Sequence, residues 1–326
     1  MTIGIAAISN AGSGAPTLFL ASDRMLSAEG TEFESSFTKV ISITSSIVVL
    51  VAGNVLHHTP VAQRVRQRIS ELILAEPNRW RSVEEVAELY RSEWLRVRNS
   101  AVESIALSPL GLTLGSLIER QPHFSYQFFS GLQQKIEYLT QAKDAEFEAI
   151  VAGVEGTEGD VVGHVYRLAG ASLYCHDDLG YAAIGSGATH AISHFMMKGH
   201  RPNSSVEAAM FATYVAKRVA EAAPGVGREM DLVVIGPRLG SASVLRSDIF
   251  RVLESSFETR RLALSSAEAA AMNHLSGELE KVFTPPQDQL APMTGADASP
   301  KGGAEGEGDF PADSTIGEPT NEESQQ

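Results

Sequence analysis

The sequence predicts an α+β fold built on two stacked sheets. Three observations carry this. Short apolar β patterns cluster in runs, at 3–52, 147–184 and 232–235, rather than alternating singly with helices. Two pairs of helical patterns lie between those runs, where they would cover the outer faces of the sheets. The longest strongly apolar run, Ile47 to Ala52, is far too short to cross a bilayer, which argues against a membrane partner.

Taken in order, Ile3–Ile8 is a short apolar strand, and Thr17–Ala21 returns beside it after the glycine-rich connection Asn10–Pro16. Val40–Ile43 and Ile47–Ala52 form a second pair across the turn Thr44-Ser45-Ser46. Val61, Val65, Ile69, Leu72 and Ile73 recur at helical spacing up to Pro77. Ser82 followed by Glu85 has the form of a capping box and opens a helix with Val86, Leu89, Tyr90 and Trp94 on its apolar stripe. Pro109, Gly111 and Gly115 interrupt the region 107–145, and Tyr126–Leu139 is helical within it. Strands follow at Phe147–Val154, Val161–Leu168, Ala171–Tyr174 and Tyr181–Ile184, then helices at Ala188–Lys198 and Ser205–Ala223. Leu232–Ile235 is a buried strand, and Ser247–Phe283 is a last helix, expected to break near Ser265.

After Phe283 the composition changes. Residues 284–326 hold six prolines, six glycines, nine acids and one base, Lys301. Such a segment buries too little apolar surface to offset its ordering entropy, so it is expected to be disordered. It carries −8 of the net charge of −14, which leaves −6 on the body. This acidity argues against nucleic acid as a partner, because binding a phosphate backbone needs a basic surface. The single cysteine, Cys175, excludes a disulfide framework within one chain and fits a reducing compartment. No charged segment precedes the first apolar stretch as in a secretory signal, so the expected location is cytoplasmic.

Few cofactor or metal signals stand out. Gly185-Ser186-Gly187 lacks the third glycine of a dinucleotide fingerprint, and no Walker lysine follows a glycine-rich loop. His190 and His194 share a helix face, but Ala191 breaks the HExxH pattern and no third ligand is evident. His57 and His58 are adjacent and diverge on a helix, and Cys175 reads as a small core residue rather than a nucleophile. No cofactor and no metal are expected.

Thr2 offers a different chemistry. Threonine is small enough for the initiator methionine to be removed before it, which would place a hydroxyl and a free α-amine on one residue. An α-amine titrates at about 7.7–8.0, suited to a general base near neutrality. Threonine activated by its own amine is a known nucleophile. The segments Thr-Ile-Gly-Ile-Ala-Ala at 2–7, Leu-Ala-Ser-Asp-Arg at 20–24, Thr-Lys-Val at 38–40 and Val-Ala-Gly-Asn at 51–54 resemble a proteasome β-type subunit of the N-terminal-nucleophile hydrolase superfamily. Ala-Ile-Gly-Ser-Gly at 183–187 and Met-Asp-Leu-Val-Val-Ile at 230–235 extend the resemblance. The stretch from Thr2 to Asp23 is longer than the family pattern by about five residues, which the glycine-rich connection can absorb.

The resemblance implies a four-layer αββα sandwich over 1–246 with an insertion near 107–145, a helical extension at 247–283 and the acidic tail at 284–326. It implies hydrolysis of an amide, in the family a peptide bond, in a ring or related homo-oligomer fed by an ATPase unfoldase. By position, Thr2 supplies the nucleophile and the basic amine, and Lys39 lies beside its hydroxyl. Asp23 orients Lys39, Gly53 donates its N–H to the oxyanion, and Ser186 sits near the amine. Glu221 stands where the family has an aspartate, and Pro224 where it has a serine, so one hydroxyl of the supporting network is missing. Pro224 favours an inactive assembly subunit as an alternative, and the 107–145 insertion could instead shape the pocket of an acylase for small amides.

Overall fold

The structure, a computed structural model, describes residues 2–10, 15–28, 31–77, 79–157 and 159–283. The centre of the Asn10–Pro16 connection and the acidic segment 284–326 lie outside them. The chain divides into one compact unit, Met1–Leu264, and a second, Ser265–Gln326. Residues 265–283 of the second are helical.

The secondary structure is mixed α+β, with all strand pairs antiparallel. The chain opens with β1 (Gly4–Ser9), β2 (Thr17–Asp23), β3 (Met25–Ala28), β4 (Thr31–Glu34), β5 (Val40–Ser42) and β6 (Ile47–Gly53), followed by α1 (Val55–Ala75) and α2 (Val83–Ala106). Next come α3 (Leu114–Arg120), α4 (Tyr126–Ala145), β7 (Phe147–Thr157), β8 (Asp160–Ala169), β9 (Ser172–Cys175) and β10 (Tyr181–Ile184). The last elements are α5 (Ala188–Lys198), α6 (Val206–Ala220), β11 (Met230–Ile235), β12 (Ser243–Val244) and α7 (Ser247–Phe283). One five-stranded sheet runs β10-β1-β2-β11-β12 and the other β5-β6-β7-β8-β9, while β3 and β4 form a separate hairpin.

The period of two along each strand sorts the core. Ile3, Ile5 and Ala7 pack with Phe195 of α5 and with Tyr214 and Ala216 of α6. The alternate residues Ala6 and Ile8 join Leu18, Leu20, Val48, Leu50, Ile150 and Val165, drawn from both five-stranded sheets. Ile47, Val49 and Val51 turn the other way, onto Val61, Val65 and Ile69 of α1 and Tyr90 and Trp94 of α2. Full burial of each such side chain contributes about 1.5–3 kcal/mol relative to exposure.

Several expectations need correction. α1 extends to Val55, ahead of the apolar positions that recur from Val61, because Asn54 caps it by accepting from Leu56 N at 3.1 Å, and Pro60 is carried inside the helix. Ser82 does cap α2, accepting from Glu85 N at 3.0 Å. α6 stops at Ala220, with Glu221 as its C-cap. α7 has no break at Ser265, although the division between the two units falls there. The interrupted region 107–145 folds as α3, α4 and two 3₁₀ turns around Ala106, Leu107, Leu112, Leu117 and Leu132.

Candidate active site

Antiparallel pairing assembles the first half of the site. Gly4 lies opposite Ser22, so the residues just before β1 meet the end of β2, where Asp23 sits. Ile3 N donates to Asp23 Oδ1 at 3.0 Å, which fixes that carboxylate beside Thr2. Lys39 immediately precedes β5, and its side chain reaches the same point. Thr2 Oγ1 donates to Asp23 Oδ1 at 2.5 Å. Lys39 Nζ donates to Asp23 Oδ1 at 2.7 Å and also to Thr2 Oγ1. The other carboxylate oxygen, Oδ2, accepts from Met25 N at 3.3 Å and from Gly227 N at 3.0 Å.

Thr2 is 2% exposed, Asp23 0% and Lys39 1%, so Asp23 and Lys39 form a buried ion pair rather than a surface one. Burying either charge alone would be costly; the pair, with backbone donors on the carboxylate, is compensated. Burial pushes the Lys39 ammonium below its usual range, and the Asp23 charge opposes that shift. The Thr2 hydroxyl thus accepts from a cation and donates to an anion, which fills its single donor and one of its lone pairs.

The second half comes from the turn between β10 and α5. Thr2 N donates to Ser186 Oγ at 3.3 Å. In the chain as written this nitrogen is a peptide N–H following Met1, and it is the atom that would become the α-amine. Ser186 Oγ lies 3.3 Å from both Thr2 O and Pro224 O, and its one proton can serve either. Gly185 has φ 88°, and a Cβ there would lie 2.3 Å from the Thr2 carbonyl oxygen, so the close approach requires glycine. Glu148, which the sequence reading did not single out, anchors this turn. Its Oε2 accepts from Gly185 N at 2.8 Å and its Oε1 from Arg167 at 2.6 Å.

Gly53 ends β6 with φ 92°, and a Cβ there would lie 2.0 Å from Glu146 O. It lies two residues past Val51, whose N–H donates to the Lys39 carbonyl at 3.2 Å. Gly53 and Lys39 therefore belong to the same end of the β5–β6 pair.

Glu221 does not join Thr2 or Ser186 as expected. It accepts from Lys217 Nζ at 2.5 Å and from Arg218 at 3.0 Å. Lys217, with a fully buried side chain, also donates to Gly227 O at 2.8 Å and Arg228 O at 2.7 Å. Burial lowers its pKa, and Glu221 opposes the shift. Lys217 therefore braces the loop whose Gly227 N–H reaches Asp23. The i,i+4 spacing of Lys217 and Glu221 on α6 was the available signal for it. Pro224 supplies no hydroxyl, yet its carbonyl faces Ser186 Oγ.

Cys175 is exposed at the end of the edge strand β9, not a core residue as expected, because the strand's alternation ends where the sheet does. His57 and His58 diverge on α1. His57 meets Glu146 at 3.0 Å, and His58 is buried. His194 is buried with Nε2 lacking a hydrogen-bond partner, and His190 is exposed. Among the described residues no group of three or more His, Cys, Asp or Glu is placed to hold a metal ion, and no single helix is long and apolar enough to cross a membrane. No protein-family model matches this chain, and no curated protein matches it.

Proposed function

We propose that the chain is a threonine-type amide hydrolase similar to proteasome β-type subunits, with Thr2 as nucleophile once Met1 is removed. One observation carries the reading: Thr2 Oγ1 is held in a buried site between Lys39 Nζ and Asp23 Oδ1. Three of the core clusters support a four-layer αββα reading, with α5 and α6 on one sheet and α1 and α2 on the other.

In this mechanism Thr2 Oγ attacks the amide carbonyl carbon and its proton passes to the Thr2 α-amine. Lys39 stabilises the negative charge developing on Oγ, and Asp23 holds Lys39 in place and favours its charged form. The carbonyl oxygen becomes an oxyanion that receives the Gly53 N–H. Collapse breaks the C–N bond, and the amine-held proton passes to the leaving nitrogen. Water then attacks the Thr2 ester, the α-amine takes its proton, and cleavage of the ester C–O bond returns the proton to Oγ. The substrate class is an amide, in the first instance a peptide. A ring or related homo-oligomer, with an ATPase unfoldase for folded substrates, belongs to the same reading.

Pro224 favours a second reading, a catalytically inactive assembly subunit, because the supporting network has one hydroxyl fewer. Intact-mass measurement separates the two. The active reading expects loss of Met1 and a single covalent adduct from a threonine-directed electrophile such as a β-lactone, abolished by Thr2→Ala with assembly unchanged. Retained Met1 rules out the mechanism. Met1 loss without an adduct in any assembly state leaves the inactive subunit.

A further inference from the structure

The Ala52–Gly53 peptide group has a second side. The one cis peptide among the described residues is Gly236–Pro237, so the Ala52–Gly53 bond is trans. In a trans peptide the carbonyl and the N–H point in opposite directions. The Ala52 carbonyl therefore points away from the direction in which the Gly53 N–H donates. On that far side lies His58, 1% exposed, with Nε2 at 2.9 Å from Ala52 O and Nδ1 at 3.1 Å from Tyr90 Oη.

The partners settle the tautomer. A carbonyl oxygen only accepts, so Nε2 carries the proton, and Nδ1 is then the acceptor for the Tyr90 hydroxyl. Burial pushes the His58 pKa down to about 4, so the ring is neutral at pH 7. The ring stacks on Phe147 with centroids 4.1 Å apart and planes 18° apart, and Phe147 stacks on Trp94 at 3.9 Å. The imidazole is thus fixed on one face by packing and at both nitrogens by hydrogen bonds.

We propose that His58, oriented by Tyr90, is a positioning residue that aims and polarises the Gly53 N–H through the shared Ala52–Gly53 peptide group. This rests on the reading of Gly53 as the oxyanion donor. The chain runs from Tyr90 O–H to His58 Nδ1 and from His58 Nε2–H to Ala52 O. Hydrogen bonds in series strengthen one another, and donation to the Ala52 carbonyl draws electron density from the peptide nitrogen. The Gly53 N–H becomes a stronger donor on the opposite side, and the peptide plane cannot rotate without breaking the bond to His58. Tyr90 stays protonated, because burial raises its pKa far above neutrality.

The test uses the full-length protein with ¹⁵N-labelled glycine and histidine. His58 is expected to show a protonated Nε2 and an unprotonated Nδ1. Tyr90→Phe, which deletes one hydroxyl, is expected to move the Gly53 amide nitrogen upfield while Gly153 stays in place. It should also slow β-lactone acylation of Thr2 by about two- to fivefold at unchanged affinity, a fraction of what loss of an oxyanion donor costs. His58→Gln, which keeps an N–H for Ala52, should lie nearer wild type than His58→Leu in both readouts. A Gly53 resonance unmoved by Tyr90→Phe, or a His58 protonated at Nδ1 instead, overturns the proposal. Tyr90→Phe carries the test even if His58→Leu does not fold. If Gly53 responds but wild-type Thr2 is never acylated, the polarisation stands and the assignment of Thr2 as nucleophile falls.

Discussion

Asp23 and Lys39 are unequal partners, and that inequality is testable. Asp23 accepts from three backbone N–H groups besides Lys39, while among the described residues the Lys39 ammonium has the Asp23 carboxylate as its one ion-pair partner. Removing the carboxylate leaves a buried cation uncompensated, a loss of about 3–5 kcal/mol. Asp23→Asn is therefore expected to lower the free energy of unfolding by that amount in urea titrations. Lys39→Met, which leaves a hydrogen-bonded carboxylate, should cost less stability yet abolish acylation of Thr2. His58 gives a pH dependence. Its folded pKa of about 4 lies below its unfolded value of about 6.5, so the unfolded state binds more protons between them. Its contribution is fully present above pH 6.5 and is lost as pH falls towards 4, on the order of 3 kcal/mol. Wild type should show a falling thermal midpoint over that window, and because the pKa of buried His194 is also pushed down to about 4, His58→Gln should flatten the fall only in part. A midpoint flat from pH 7 to 4 would contradict a buried neutral His58.

The loop after α6 is the element on which the site depends most indirectly. Lys217 holds Glu221, Gly227 and Arg228 at one end, and Gly227 and Pro224 meet Asp23 and Ser186 at the other. Lys217→Met would strand the buried Gly227 carbonyl, at about 1–3 kcal/mol, and take one donor from the Arg228 carbonyl. It is expected to raise amide exchange across 221–229 in mass-spectrometric measurements, with Glu221→Gln milder because its amide oxygen still accepts. Other elements show where sequence patterns run out. The β3–β4 hairpin, which strings Met25-Leu26-Ser27-Ala28 against Thr31-Glu32-Phe33-Glu34, lies outside both main sheets and lacks a sustained apolar alternation. Pro60 concealed the first turn of α1, since proline usually marks an end rather than an interior. The Ser82 cap and the Thr44–Ser46 turn were legible because their chemistry is local.

Across the compact unit, one cluster joins both five-stranded sheets, and Leu20 lies within it at 0% exposure. Leu20→Ala is expected to cost about 2–5 kcal/mol. Because that cluster spans both sheets, near-UV signals from Tyr181, packed with the first sheet, and Trp94, packed with the second, should shift together in denaturant. Separate shifts would show that the sheets do not share a core. Clusters on both faces of the sheets also contain site-end segments: Ile3 and Ala21 lie in one, Leu50 and Ala52 in another, and Val51 in a third. The positions of Thr2, Asp23 and Gly53 at strand ends thus follow from the same packing that stabilises the fold.

The sequence by itself placed most strands of the two main sheets and the helix pairs between them, while its resemblance to a proteasome β-type subunit singled out Thr2, Asp23, Lys39, Gly53 and Ser186. The elements follow from apolar periodicity and short turns, both set within a few residues. Tertiary structure alone decided the partners of the supporting loop. It brought Gly227 to a carboxylate 204 residues away, turned the Pro224 carbonyl to Ser186, and left Cys175 exposed at a sheet edge. Such pairings depend on the path of a loop and on which buried donor lacks an acceptor, and no local pattern in the chain encodes either.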